Sequence, residues 1–174
     1  MTLCAGQGMQ IVMLALKGKK QWVEAVHGEL RRLRMKSPPN QLASRAFKEA
    51  TFHLGQHLYG EPYETSSILD LRLRIAGGIE NGNEHLGEAQ SIVVGLRVGG
   101  AFISDDAAAR AEGFAEGLDC VSVCGLLAIL VNMNSLGASD ANTILTTAVT
   151  KGRSQAGFGL NLRDLHQAGH IRMH

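Results

Sequence analysis

The sequence predicts an α/β protein that is rich in helix, with a short and mostly parallel sheet flanked by helices. Two apolar runs, "GAFIS" (100–104) and "CVSV" (120–123), have the length and composition of buried strands. A segment of helical composition follows each run, and apolar strands that alternate with helices are typical of a parallel sheet covered on both faces. The 174 residues suit one domain with a sizeable core.

Composition and charge narrow the class of protein. A net charge of +1 gives no overall attraction to nucleic acid, so any such binding depends on a local patch. The longest apolar run, 124–131, is too short to span a bilayer, and the first lysines follow the apolar N-terminal segment instead of preceding it as in a secretory signal. Three cysteines, Cys4, Cys120 and Cys124, are too few for a disulfide framework. We therefore expect a cytoplasmic protein with reduced thiols and no membrane segment.

Helices are predicted for most of the first half of the chain. Residues 9–17 are apolar, with Gly18 as the stop signal. Residues 21–36 form an amphipathic helix, because apolar side chains recur at steps of three and four on one face: Trp22, Val26, Leu30 and Leu33. The next helix opens at the Pro38 and Pro39 pair. The stretch "HLYGEPYET" (57–65) predicts a strand around a turn.

The second half predicts further helices around the two strands. Their expected ranges are 66–75 with a cap at Ser66 or Ser67, 87–98, 107–117, 125–136 and 139–151. The stretch "ENGNEH" (80–85) predicts a loop between the first two. A last short helix is expected in "NLRDLHQAG" (161–169). We assign residues 1–152 to the main domain and residues 153–174 to a C-terminal tail or a helix that docks onto a partner.

Two adjacent carboxylates follow the first predicted strand. Asp105 and Asp106 stand at the carboxyl end of "GAFIS", and ligands of open α/β sheets bind at that end of the strands. One aspartate is explained as the cap of the following helix, because its carboxylate accepts hydrogen bonds from the first free amides. The second like charge beside it needs another reason. A helix cap and a metal site are therefore the two alternatives.

Two glutamates extend the metal-site interpretation. Glu88 lies in the first turn of the predicted helix 87–98, and Glu29 lies beside the apolar stripe of the helix 21–36. Each has a plain alternative, since Glu88 stabilises a helix N-terminus and Glu29 suits an ion pair on a solvated face. Hard divalent cations such as magnesium prefer a few carboxylates plus water. Acids gathered at the end of a sheet thus predict a cation that activates water and neutralises a phosphate under attack.

The order of four motifs along the chain resembles the PIN-domain family of metal-dependent ribonucleases. The motifs are "EAVHGELRR", "HLGEAQSIV", "GAFISDDAAAR" and "GLLAILVNMNSLGASDA". The similarity is greatest to the bacterial branch with a "GEA" helix and an "SDD" or "TDD" strand end, and it covers roughly residues 9–152. It implies a three-layer PIN-like fold for the main domain. Many members are the toxin of a type II toxin–antitoxin pair.

The same resemblance implies a set of site residues. The metal ligands fall on Glu29, Glu88 and Asp106, with magnesium or manganese as the ion, and Asp105 assists them as a fourth catalytic carboxylate. Ser104 matches a small hydroxyl residue that can hydrogen-bond a carboxylate or the water of the ion. We expect these residues to hydrolyse RNA phosphodiester bonds.

Basic residues concentrate near the N-terminus, with seven of the 17 in the first 36 positions: Lys17, Lys19, Lys20, Arg31, Arg32, Arg34 and Lys36. A positive ridge there can bind RNA phosphates near Glu29, and the alternative is a solvated helix face. Arg31 and Arg32, together with Arg110 and Ser104, are the predicted substrate-binding residues. Aromatic residues make up only 5% of the sequence, so base stacking is not expected to be the main source of RNA affinity.

One departure from the family affects the prediction. PIN domains open with a strand that ends in an aspartate, and this sequence has no aspartate before Asp70. We expect either a shortened chain or a protein that lacks the first strand and one metal ligand. An endoribonuclease with RNA, an antitoxin protein and a second copy of the chain as partners is the leading interpretation, with the apolar helix 124–136 as a dimer surface. The alternatives are an inactive or truncated PIN-like module that binds RNA or protein, and a structural domain whose acids are helix caps.

Overall fold

Helices make up most of the part of the chain that the structure describes, which in this computed structural model comprises residues 8–16, 20–38, 40–78, 84–150 and 161–174. The α-helices, in chain order, are α1 Met9–Ala15, α2 Glu24–Arg34, α3 Gln41–Leu54, α4 Thr65–Ile75, α5 Leu86–Val98, α6 Ala107–Ala115, α7 Val123–Asn132, α8 Ala138–Thr150 and α9 Leu162–Gln167. A 3-10 helix, Pro62–Glu64, precedes α4. The strands are β1 Phe102–Ile103, β2 Cys120–Val121 and β3 Ile171–Arg172.

The three strands form one small mixed sheet in the order β1-β2-β3. Strand β1 pairs with β2 in parallel, with Phe102 opposite Cys120, and β2 pairs with β3 in antiparallel, with Val121 opposite Ile171. The two predicted strands are confirmed as shorter elements. The sequence analysis missed β3, because a strand of two residues carries no periodic pattern and forms only when its partner is present. The predicted α/β class is compatible with this helix-rich architecture.

The predicted helices are present, with ends that differ by a few residues. Side chains of Asn40, Asp106, Ser122 and Asn161 accept hydrogen bonds from the first turns of α3, α6, α7 and α9. The predicted cap at Ser66 or Ser67 is wrong, because α4 continues directly from the 3-10 helix and begins at Thr65. Gly18, Pro39 and residues 80–83 of the predicted loop lie outside the described residues.

The predicted strand in 57–65 is also wrong. Only Leu58 pairs, through a single parallel bridge to Val23 just before α2. Pro62 and the reciprocal bonds between Glu61 and Glu64 then turn the chain into the 3-10 helix. Proline cannot donate to a ladder, which favours helix initiation here over a continuing strand.

Three apolar clusters hold the described elements together. The largest joins α7 to α1, α8, α9 and β3, the second joins α4, α5, α6, β1 and β2, and the third joins α2 to α3 around Trp22. Helix α7 contributes a nearly continuous buried run to the largest cluster, from Val123 to Ala128 together with Leu130. Most apolar side chains of the helix 124–136, the expected dimer surface, thus pack inside one chain, whereas Met133 is exposed.

The described part of the C-terminal segment packs on the same core. Leu165 of α9 is fully buried, and Ile171 of β3 is 6% exposed. Helix α7 and the turn before β3 are in close contact at Gly125, where an added Cβ would lie 2.6 Å from the carbonyl oxygen of His170. Of the expected tail or docking helix, residues 161–174 are thus a helix and a strand docked on their own chain.

One edge of the sheet stays open within the described ranges. Strand β1 pairs only through its β2 side. A cavity of about 200 Å³ lies between its other side and the bridge of Val23 with Leu58, and Val94 and Phe102 are among its lining residues. Separately, none of the described helices combines the length and the apolar character needed to cross a membrane.

Candidate metal centre

The carboxyl ends of β1 and β2 lie at the same edge of the sheet because the two strands are parallel. Asp105 and Asp106 follow β1, and Ser122 follows β2. The turn before β3 reaches this edge too, since β3 runs antiparallel and His170 precedes it. The strand-end position predicted for the two aspartates is therefore where several polar side chains converge.

Asp106 lies at the point where this edge meets the start of helix α5. Its Oδ1 accepts a hydrogen bond from the backbone N–H of Ala109 at 3.0 Å, so it caps α6 as the simpler interpretation expects. Its Oδ2 lies 3.4 Å from Nδ1 of His85. The two oxygens serve different partners, and the helix cap leaves Oδ2 free to face α5.

His85, Glu88 and Asp106 form a cluster of potential metal ligands. One ligand atom from each residue lies within 4.8 Å of the other two, and all three side chains are half-buried. Ligand atoms bound to one ion at about 2.1 Å are roughly 3–4 Å apart. Only a small inward movement would bring these three atoms to coordinating distances.

The sequence analysis did not select His85. It directly precedes α5 with φ 60° and ψ 7°, a left-handed conformation that costs a non-glycine residue on the order of 1 kcal/mol. Its spacing to Glu88, three positions along the chain, puts both side chains on one face of the helix start. A search for His-x-x-Glu at a helix N-terminus is the signal that would have found it.

Glu88 carries an electrostatic cost in this position. Burial raises the pKa of its carboxyl above the ordinary 4.5, a hydrogen bond from its own backbone opposes this, and the negative charges of Glu29 and Asp106 raise it further. His85 acts in the lowering direction. A bound divalent cation would offset the burial and the repulsion together, so the donor set suits a cation.

Glu29 lies beside the cluster without belonging to it. An added Cβ at Gly87 would lie 3.7 Å from Glu29 Oε2 and 3.0 Å from Val26, which shows that α2 and α5 are in close contact there. The charge of Glu29 reaches Glu88, as its effect on that pKa indicates. Its side chain is exposed. The structure therefore brings together three predicted acids, with Glu29 in an outer position.

Asp105 points to a different neighbourhood. Its Oδ1 accepts a hydrogen bond from the backbone N–H of Val123 at 3.0 Å, at the start of α7. Close by, Ser122 Oγ and His170 Nδ1 are hydrogen-bonded at 2.9 Å. Asp105 thus ties the end of β1 to the end of β2, and it is not part of the His85 cluster.

Two predicted substrate-binding residues have structural partners. Ser104 Oγ accepts a hydrogen bond from the backbone N–H of Asp106 at 3.2 Å, so it stabilises the turn that carries the aspartates. Arg110 is 3% exposed. Its guanidinium donates to the carbonyl oxygens of Ser104 at 2.9 Å and Gly169 at 3.1 Å. Burial of this kind holds Arg110 away from an RNA phosphate.

The remaining predicted contacts lie on α2. Arg31 and Arg32 are exposed there, as a phosphate-binding surface requires. Arg34 is engaged, because its guanidinium lies 4.6 Å from the ring centroid of Phe47. Lys17 and Lys19 of the predicted ridge lie outside the described residues.

The thiols in the described part of the chain are structural, as predicted. Cys120 and Cys124 are free and buried. Burial raises the pKa of Cys120 to about 11 and also raises the pKa of Cys124, so neither is an effective nucleophile at neutral pH. The chemistry of this edge therefore depends on its carboxylates and imidazoles.

Comparisons of the chain with protein-family models, curated proteins and solved structures gave no match. The site is consequently interpreted from its own geometry and charge.

Proposed function

We propose that the protein is a divalent-metal-dependent endoribonuclease with a PIN-like three-layer fold. The convergence of His85, Glu88 and Asp106 at the carboxyl end of β1 is the observation that carries this proposal. The proposal includes a cytoplasmic location and a role as the toxin of a toxin–antitoxin pair, with an antitoxin protein and a second copy of the chain as partners.

The chain's own groups have distinct tasks in this proposal. His85, Glu88 and Asp106 hold the cation, and the outer Glu29 accepts a proton or binds water beside them. Arg31 and Arg32 attract the RNA backbone to the exposed face of α2. When bound, a divalent cation supplies positive charge to a phosphate under attack and makes water more acidic.

The histidine sharpens the expected identity of the ion. Magnesium prefers an all-oxygen environment, whereas an imidazole nitrogen suits transition metals. A set of one imidazole and two carboxylates supports manganese over magnesium. The resemblance implied either ion, and the observed donor atoms favour binding of manganese over magnesium.

The test uses the purified full chain and a fluorescent single-stranded RNA of about 20 nucleotides. We expect calorimetry to detect Mn²⁺ binding, and we expect cleavage in Mn²⁺ that EDTA abolishes and that excess Mn²⁺ restores. A parallel preparation of Asp106→Asn controls for contaminating ribonucleases. Cleavage that persists in EDTA, or that is equal in the variant, would contradict the proposal.

A metal-independent binding module is the second candidate. The open side of β1, with its cavity next to the Val23–Leu58 bridge, is the observation that favours it. In that case Asp106 acts only as the cap of α6. Calorimetry separates the two candidates, because the module should bind no Mn²⁺ at the concentrations that saturate the nuclease.

A further inference from the structure

A second concave region adjoins the same helix start, that of α5, as the candidate metal centre. It is a cleft of about 390 Å³ between α2, the loop before α4, and the start of α5. Gly28 and Arg32 line its α2 side, next to Glu29 in the chain and one turn beyond it. Leu86 lines its α5 side, next to His85. The cleft and the metal centre therefore both adjoin the start of α5, while the residues that line the cleft are different from the three of the cluster.

A buried amide with unused donors faces the cleft. Gln90 is 8% exposed, and its Oε1 accepts a hydrogen bond from the backbone N–H of Ala25 at 2.7 Å. That bond fixes the orientation of the amide, since only the oxygen can accept. Its Nε2 lies next to Gly60, where an added Cβ would be 3.0 Å away. Among the described residues Nε2 has no hydrogen-bond acceptor, so both its hydrogens are available to a ligand.

A carboxylate that lines the same cleft supplies hydrogen-bond acceptors, which complement the donors of Gln90. Glu24 lies in the first turn of α2, is exposed, and forms no ion pair within the described part of the chain. An ionised carboxylate only accepts hydrogen bonds. Glu61, across the cleft, is engaged in the reciprocal cap with Glu64. Glu24 is thus the available acceptor.

The walls between these polar groups suit a flat, partly apolar ring. Ile68, Leu69 and Leu86 form the apolar lining, and Arg32 supplies a positive charge at the side nearest Glu29. A cleft of this volume with a few oriented polar groups is of the size that holds a small ligand. A base flanked by a phosphate has this distribution of flat ring and negative charge.

We propose that this cleft binds a guanine base of RNA. The inference rests on the proposed ribonuclease function. Guanine presents one carbonyl oxygen and two kinds of N–H along one edge, which match a donating Gln90 amide and an accepting Glu24 carboxylate. Adenine and cytosine present an amino group where guanine has its carbonyl, and uracil lacks the second N–H.

The first experiment measures base preference without metal, so that it is independent of catalysis. Calorimetric titrations of the full chain in EDTA compare guanosine, adenosine, cytidine and uridine 5′-monophosphates. We expect guanosine monophosphate to bind at least about 10-fold more tightly than the other three, since a paired set of hydrogen bonds discriminates bases by this factor or more. Equal affinities for all four nucleotides would overturn the proposal.

A second arm separates a free nucleotide from a base within RNA. The pentanucleotides AAGAA and AAAAA are titrated under the same conditions. We expect AAGAA to bind more tightly, by a similar factor, because it alone carries a guanine for the Gln90 and Glu24 side of the cleft. Equal binding of the two RNAs would exclude an RNA guanine as the ligand, even if free guanosine monophosphate binds.

A matched pair of variants assigns the preference to the cleft. Glu24→Gln removes one of the two oxygen acceptors and should lower the affinity for guanosine monophosphate about 10-fold. Asp140→Asn removes a carboxylate from the first turn of α8, outside the cleft, and should leave the affinity unchanged. An unchanged affinity in Glu24→Gln would contradict the proposal. Guanine preference together with absent RNA cleavage would instead refute only the ribonuclease.

Discussion

Asp105 and Asp106 are neighbours in the chain but belong to two regions with opposite properties. Around Asp105, the carboxylate accepts one hydrogen bond from the Val123 N–H and lies near the charge of buried Arg110. Around Asp106, two further ligands approach, and no lysine or arginine of the described ranges forms an ion pair with Asp106 or Glu88. One region is a junction of the fold, and the other gathers two carboxylates and an imidazole, with the charge of Arg110 acting on Asp106 without an ion pair.

The difference shows how a ligand site can be separated from a structural contact. Hydrogen bonds that stabilise a fold normally satisfy every buried polar group. The cluster of His85, Glu88 and Asp106 differs from an ordinary structural contact in two ways. His85 has a left-handed backbone conformation, and the pKa of Glu88 is raised. Backbone strain and shifted pKa values concentrate at functional sites, which makes them a more informative signal than a satisfied hydrogen bond.

The largest expected effect comes from changing each aspartate to asparagine. Asparagine caps helices as well as aspartate does, so Asp106→Asn should leave the melting temperature within about 2 °C while removing a metal ligand. We expect RNA cleavage in Mn²⁺ to fall at least about 100-fold. Asp105→Asn keeps its acceptor oxygen for Val123 and should reduce cleavage less than about 3-fold.

The pair of rates is measured under single-turnover conditions, with melting curves as the control for folding. Equal losses in the two variants would show that the contrast between the two regions is wrong. A large fall in melting temperature for Asp106→Asn would indicate a structural role for its charge.

The next largest effect concerns stability and the Asp105 region. Arg110→Met removes two hydrogen bonds, leaves the carbonyls of Ser104 and Gly169 unpaired, and removes the positive charge near Asp105. We expect the free energy of unfolding to fall by about 2–4 kcal/mol in urea titrations. Arg163→Met on the exposed side of α9 is the control, with an expected change below about 0.5 kcal/mol. Equal losses of unfolding free energy in the two variants would mean that the contacts of Arg110 contribute little to stability.

The smallest expected effect is a gain in stability at Glu88. Because its pKa is raised in the folded state, mainly by burial, this carboxyl stabilises the fold below its ordinary pKa of 4.5 and loses that contribution as the pH rises through the raised value. Glu88→Gln should therefore raise the melting temperature of the metal-free protein by about 2 °C at pH 7. At pH 4 we expect no gain.

The same variant should abolish the stabilisation that Mn²⁺ gives to the wild-type protein. That stabilisation is about 2.7 kcal/mol when the ion is present at 100 times its dissociation constant. Differential scanning calorimetry with and without Mn²⁺ checks both points. A fall in melting temperature for metal-free Glu88→Gln at pH 7 would contradict the assigned electrostatic cost.

Several features could be predicted because they depend on short stretches of sequence. Apolar side chains at steps of three and four located α2 and α3, and the apolar runs before Asp105 and Cys124 located β1 and β2. The position of the acids at a strand end followed from the strand assignment. Strand β3, which depends on a distant partner, was missed, and the local turn at Pro62 was taken for part of a strand.

The residues of the site also divide into those that local sequence indicates and those that depend on distant partners. The sequence selected Glu88 and Asp106, because carboxylates at a helix start and a strand end are visible locally. It did not select His85, since its approach to Asp106 spans 21 positions and depends on how α5 packs against the sheet. It assigned Arg110 to RNA, because the sequence carries no sign that the guanidinium is buried.

The sequence by itself determined which segments are long helices, where β1 and β2 lie, and that carboxylates follow β1. These properties depend on periodicity and capping within a few residues. Only the tertiary structure decided which aspartate faces His85 and Glu88 and which joins the sheet to α7. That choice is made by partners far away in the chain, His85 for Asp106 and Val123 for Asp105, which come into reach only when the helices pack.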